Sequence, residues 1–130
     1  MKSGIVFFVA TCCLLFGCEQ HSRYCIGVVN QTGRDISNVR VVFSGREVAS
    51  PGGLVQGSRA TEGPMTADVP SEAQVGWADS QPHQVSAKLQ GIVAPRFTSG
   101  TIYFIIRTNG SVVVKTARLD DVRANAEITK

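Results

Sequence analysis

The chain has 130 residues, 43% of them apolar and 18% charged, with 13 Lys and Arg against 10 Asp and Glu for a net charge of +3. That length allows one domain, the apolar share argues against wholesale disorder, and the charge is too small and the Arg too scattered to suggest nucleic-acid binding. No segment is long and apolar enough to suggest a multi-pass membrane protein.

Met1-Lys2-Ser3 supplies a short positive start, and Gly4 to Phe16 is apolar or small at every position except Thr11. That run falls short of the roughly 20 residues a relaxed helical span needs, and its flanks fit a secretory signal peptide. An ordinary signal-peptidase site wants small residues at the first and third positions before the cut, and a cut after Gly17 puts Leu15 in the third. Leu15-Phe16-Gly17-Cys18 instead resembles the lipobox of bacterial lipoproteins, with Phe16 bulkier than the usual residue there. The resemblance implies removal of residues 1–17, a diacylglycerol on the Cys18 thiol, and an acyl chain such as palmitate on the new amine. Two or three acyl chains anchor a protein stably where one holds it marginally. Glu19 rather than Asp after the Cys implies, by the same resemblance, the outer membrane, facing the periplasm. The competing readings are a cleaved soluble secretory peptide and a retained hydrophobic anchor.

Loss of the leader takes Lys2, Cys12, Cys13 and three of the six Phe with it. If Cys18 carries lipid, Cys25 is alone in a disulfide-permissive compartment. It reads as a small buried hydrophobe, with a reactive or intermolecular thiol as the sharper alternative. Were Cys18 bare, a Cys18–Cys25 disulfide becomes conceivable.

Residues 18–23 form a short polar tether. From residue 24 the apolar positions recur at spacing two, the period of strands. Tyr24, Ile26 and Val28 share one face; Asn30 to Asp35 is turn chemistry; Val39, Val41 and Phe43 alternate with Arg40, Val42 and Ser44. These two runs are expected to pair as a hairpin. Residues 50–64, rich in Gly and Pro, read as a loop with at most one short edge strand. Ala73, Val75 and Trp77, then Val85, Ala87 and Leu89, flank the turn Asp79 to His83 and make a second hairpin. A third joins Thr101–Arg107 to Val112–Thr116 through Asn109-Gly110. A two-residue Asn-Gly loop favours a type I′ turn and sets Ile105 opposite Val114. Both faces of that hairpin are apolar, which places it centrally in a covered sheet. Residues 118–130 are a short helix bearing Leu119, Val122 and Ala126, or a frayed end. The fold class is all-β: a small antiparallel β-sandwich of about six or seven strands over residues 24–117.

Chemistry-bearing residues are sparse. His21 sits in the tether. His83 lies four residues after Asp79 in a turn, but no activated Ser accompanies the pair and G-x-S-x-G is absent. Cys25, His21 and His83 share no metal-ligand spacing, so no metal is expected. Gly52 to Gly57 lacks the Gly-Lys-Ser/Thr ending of a phosphate loop. Asn30-Gln31-Thr32 matches a glycosylation sequon incidentally, Asp120-Asp121 reads as solvation, and Trp77 reads as core. Arg34, Arg40, Arg46 and Arg59 bias the first half toward positive charge, a solvated face or the rim of a protein interface. A lipid anchor, a tether and a compact β-domain without a reaction centre suit holding or blocking better than turnover. Neither catalytic residues, nor a cofactor, nor a small-molecule substrate is expected.

The lipobox, Val29 to Ile36, the Gly52-Gly53 loop and Pro70 to Trp77 together resemble small lipoproteins that serve as immunity proteins against lipase effectors of the type VI secretion system. The chain departs from some of them in having no Cys after Cys25. The resemblance implies stoichiometric inhibition of a secreted toxin or hydrolase in the periplasm. The loops at Arg34–Asp35, Arg59 and Asp79–His83 are the expected partner contacts. The alternative is an envelope scaffold lipoprotein that docks a secretion or transport complex at the outer membrane.

Overall fold

The computed structural model of the protein describes residues 23–118 apart from residues 96 and 98. The expected leader, the expected lipidation position Cys18 and the tail from residue 119 lie outside the described residues. Among those described there are eight strands and no helix: β1 (Tyr24–Gln31), β2 (Ile36–Phe43), β3 (Arg46–Leu54), β4 (Arg59–Met65), β5 (Glu72–Ala78), β6 (Pro82–Lys88), β7 (Gly100–Arg107) and β8 (Val112–Arg118). They form two four-stranded sheets, ordered β4-β1-β7-β8 and β3-β2-β5-β6. The molecule is a small all-β sandwich.

The core lies between the sheets. Ile26, Val28, Ile102, Phe104 and Ile106 of the first sheet meet Val39, Val41, Phe43 and Val75 of the second, all buried in one cluster. Phe43 and Phe104 cross edge to face with centroids 6.3 Å apart, an arrangement aromatic pairs favour. Strands β1 and β7 are buried on both faces, as central strands must be. Their other face carries a second cluster of Val29, Tyr103, Ile105 and Ala117.

Several expectations from the sequence need correction. There are eight strands rather than six or seven, and β1 pairs with β7 in parallel, from Tyr24↔Gly100 to Gln31↔Arg107, while the other pairings are antiparallel. β1 and β2 do not form a hairpin; they sit in different sheets, and the turn after Gln31 crosses between them. The stretch 50–64 is not a loop but the end of β3 and most of β4. Both are edge strands, where Pro51 and Pro64 leave no interior ladder bond unmade. The Ser50 N–H donates to the Glu62 carboxylate across 2.7 Å, clipping the two edges together.

The β5–β6 hairpin forms as expected, but its turn is shorter: Pro82 and His83 belong to β6 rather than to the turn, with Trp77 opposite His83. The β7–β8 hairpin forms one residue out of the expected register: Ile105 faces Val113 and Phe104 faces Val114. Its loop has three residues, not two. Gly110 alone has positive φ (80°), and its N–H returns to the Arg107 carbonyl at 3.0 Å. This is a turn closed by a glycine bulge, so Asn109 never needs positive φ. Positive φ at both loop positions, the type I′ requirement, occurs instead at Ser44 and Gly45 between β2 and β3. β7 is central, but β8 is an edge. Cys25 is partly exposed rather than buried.

The strand directions sort the connections into two ends. The chain enters at Tyr24 and leaves β8 at Arg118, both in register with Gly100. The Ser99 N–H donates to the Arg23 carbonyl at 2.6 Å and fastens that entry. The opposite end gathers the connections at 32–35, 55–58, 79–81 and 108–111.

Candidate functional site

Asn30, at the end of β1, organises the far end of the sandwich. It is fully buried, and every polar atom of its side chain is used. Its Nδ2 donates to the Arg34 carbonyl at 2.8 Å and the Leu54 carbonyl at 2.9 Å. Its Oδ1 accepts from the Thr32 N–H at 3.0 Å and the Thr32 hydroxyl at 2.7 Å. Its backbone bonds Ser58 and Gly57, each at 2.9 Å. One residue therefore holds the 32–35 and 55–58 connections together. A buried amide with its partners in place fixes a loop geometry that a flexible turn alone would not.

Beside this hub lies a cleft of about 400 Å³, lined by Thr32, Arg34, Trp77, Asp79, His83, Arg107, Thr108, Asn109 and Gly110. Both sheets contribute. The β5–β6 hairpin supplies its aromatic wall: the Trp77 and His83 rings stack 5.1 Å apart at 16° between planes. Cross-strand neighbours on one face approach closely enough for such contact. Trp77 is both core, as expected, and cleft wall.

Asp79 Oδ1 accepts from the Gln81 N–H at 2.9 Å and faces His83 Nε2 at 3.1 Å. The Gln81 amide first, then the His83 ring, lowers the pKa of Asp79, and the Arg34 charge adds to this. Hydrogen bonds and positive charges favour the ionised carboxylate. The cleft thus holds one carboxylate already engaged by two donors, a histidine held in place by it, and two guanidiniums, Arg34 and Arg107. Both are exposed, and neither forms an ion pair with a described carboxylate.

Of the residues expected to contact a partner, Arg34, Asp79 and His83 line the same cleft. Asp35 and Arg59 share this end but flank it. Asp35 Oδ1 accepts from the Gln56 N–H at 3.0 Å, tying the β1–β2 connection to the β3–β4 turn, and Arg59 sits opposite Val29 at the start of β4. Sequence reasoning did not single out Arg107, Thr108 or Asn109. The available signal was a lone Arg closing an otherwise apolar strand beside a turn, which must place its charge at the sheet's end.

No known protein family matches this chain, nor does a curated protein. It is similar to a solved structure, the NMR structure of the protein from Eubacterium rectale, at 16% identity; the match covers 76% of this chain and 92% of that one, with a TM-score of 0.49.

The hydroxyls around the cleft serve the local loops. Thr108 Oγ1 donates to the Gln31 carbonyl at 3.2 Å, and Thr32 Oγ1 bonds Asn30. His83 meets a carboxylate and an aromatic face, so the nucleophile–base pairing that covalent catalysis needs is not built here. Among the described residues no group of three or more His, Cys, Asp or Glu is placed to hold a metal ion. The arrangement can offer charge, hydrogen bonds and a flat aromatic wall to something docking from outside.

Proposed function

We propose that the protein is a lipid-anchored periplasmic binding protein without catalysis. On this reading it acts as an immunity protein that grips and blocks a toxic effector, such as a type VI secretion lipase. The observation that carries the reading is the position of the cleft: a pre-organised polar site at the end of the sandwich opposite the point where the chain enters. With Cys18 lipidated, the segment to β1 reaches at most about 20 Å, and β1 itself spans about 25 Å. The cleft then faces the periplasm, one strand length beyond the anchored end, where an incoming toxin arrives before it meets lipid. Anchoring confines the inhibitor to the surface under attack and raises its effective concentration there.

Co-purification from a periplasmic extract tests the reading. A one-to-one complex with a secreted hydrolase, whose activity is lost on mixing, is the expected result. Recovery of multi-subunit membrane machinery instead would favour an envelope scaffold. Growth of a deletion strain unharmed beside its own siblings would overturn the immunity role.

A further inference from the structure

We propose that the cleft between Arg34 and Arg107 receives an acidic side chain, Asp or Glu, presented by the partner protein. The inference rests on the protein-binding reading above and adds the partner's chemistry. Two guanidiniums approach the cleft from different connections, Arg34 from the β1–β2 turn and Arg107 from the end of β7. A planar guanidinium matches a carboxylate in a two-bonded fork, which a point charge does not. The one acid in the cleft, Asp79, offsets a single one of these charges: Arg34 acts on its carboxylate electrostatically, while the Gln81 amide and His83 hold its Oδ1. The site therefore keeps an excess of positive charge.

The shape narrows the occupant. A cleft of about 400 Å³ with a stacked Trp77–His83 wall is far larger than a free phosphate requires. It suits a side chain together with the backbone that carries it. It lies one strand length from the point where the chain enters the sandwich, at the far end of the domain from the segment that would carry Cys18. Asn30 fixes the carbonyl of Arg34 through its own amide, so the Arg34 backbone is in place before a partner arrives, and that lowers the ordering cost of binding.

Trp77 is the single tryptophan of the chain, and it lines the cleft, so its fluorescence reads occupancy directly. The experiment titrates the full processed protein in detergent with the blocked peptide Gly-Glu-Glu-Gly, its Gly-Gln-Gln-Gly counterpart, inorganic phosphate, and glycerol phosphate as a soluble stand-in for a phospholipid headgroup. The expected result is a saturable response to the Glu peptide with a dissociation constant of about 1 mM or tighter, and none to the Gln peptide. Arg34→Gln and Arg107→Gln should each weaken that binding about tenfold, the loss of one charge-assisted contact, while Arg46→Gln at the other end leaves it unchanged. Equal responses to the Glu and Gln peptides overturn the inference, as does unchanged binding in the Arg34→Gln/Arg107→Gln double variant. So does no saturable response at all. Stronger binding of phosphate or of glycerol phosphate than of the Glu peptide also overturns it. Both substituted arginines are exposed, and a thermal melt confirms that the variants stay folded. Co-purification separates this inference from the reading beneath it. A partner retained equally by wild type and double variant removes the cleft's role but leaves protein binding standing. No partner in either removes the binding reading, whatever the peptide does.

Discussion

Asn30 shows how much one polar side chain can organise when it is buried with every partner in place. Asn30→Ala removes four side-chain hydrogen bonds, one of them to the buried Leu54 carbonyl. At about 1 kcal/mol per bond, with an extra cost for the orphaned acceptor, the variant should lose about 3–5 kcal/mol of stability, seen as a lower urea midpoint at unchanged slope. Asp79 makes a pH-dependent prediction. Its pKa is depressed in the folded protein, so its contribution is fully present above the ordinary carboxylate pKa of the unfolded chain. It is lost as pH falls through the lower folded value. Melting temperatures of wild type and Asp79→Asn should therefore differ at neutral pH and converge in acid; a gap that persists in strong acid would contradict the assignment.

At the scale of elements, the β7–β8 hairpin tests the turn chemistry. Gly110 occupies φ 80° with no side chain to accommodate. Gly110→Ala should cost about 1 kcal/mol by equilibrium unfolding, because alanine pays for the left-handed conformation that glycine adopts freely. Which residues form strands was legible from alternation: Tyr24, Ile26 and Val28 do share the core face, as do Val39, Val41 and Phe43. Partners were less legible. β1 precedes β2 in sequence, yet its ladder partners are β4 and β7, and a local pattern cannot say which distant strands those are. Asn-Gly suggested a two-residue loop, yet the hydrogen bond from Gly110 to Arg107 admits a third residue and shifts β8 by one. Because side chains alternate, that single step exchanges the faces of Val113 and Val114. β4 was hidden because Gly and Pro signal a loop unless the strand is known to be an edge.

Across the whole molecule, one core joins both sheets, and Trp77 sits in it. Denaturation followed by Trp77 fluorescence and by far-ultraviolet circular dichroism should give coincident transitions, the mark of two-state unfolding. Separate midpoints would mean that the sheets melt apart. The candidate site was partly legible for the same global reason. Arg34 and Asp79 sit in turns that the sequence marks clearly, His83 follows the second of them at the start of β6, and turns of one sandwich end must converge. Arg107 was not, since its place in the cleft depends on the parallel pairing that sets Gln31 beside it.

That pairing has a consequence for how the protein is made. The first described strand to be synthesised has its parallel neighbour in the seventh, Gly100 to Arg107. Non-local strand pairings form slowly because a long loop must close before they are rewarded. The first sheet therefore stays incomplete until the seventh strand has been made, and the apolar face of β1 waits for its cover through most of synthesis.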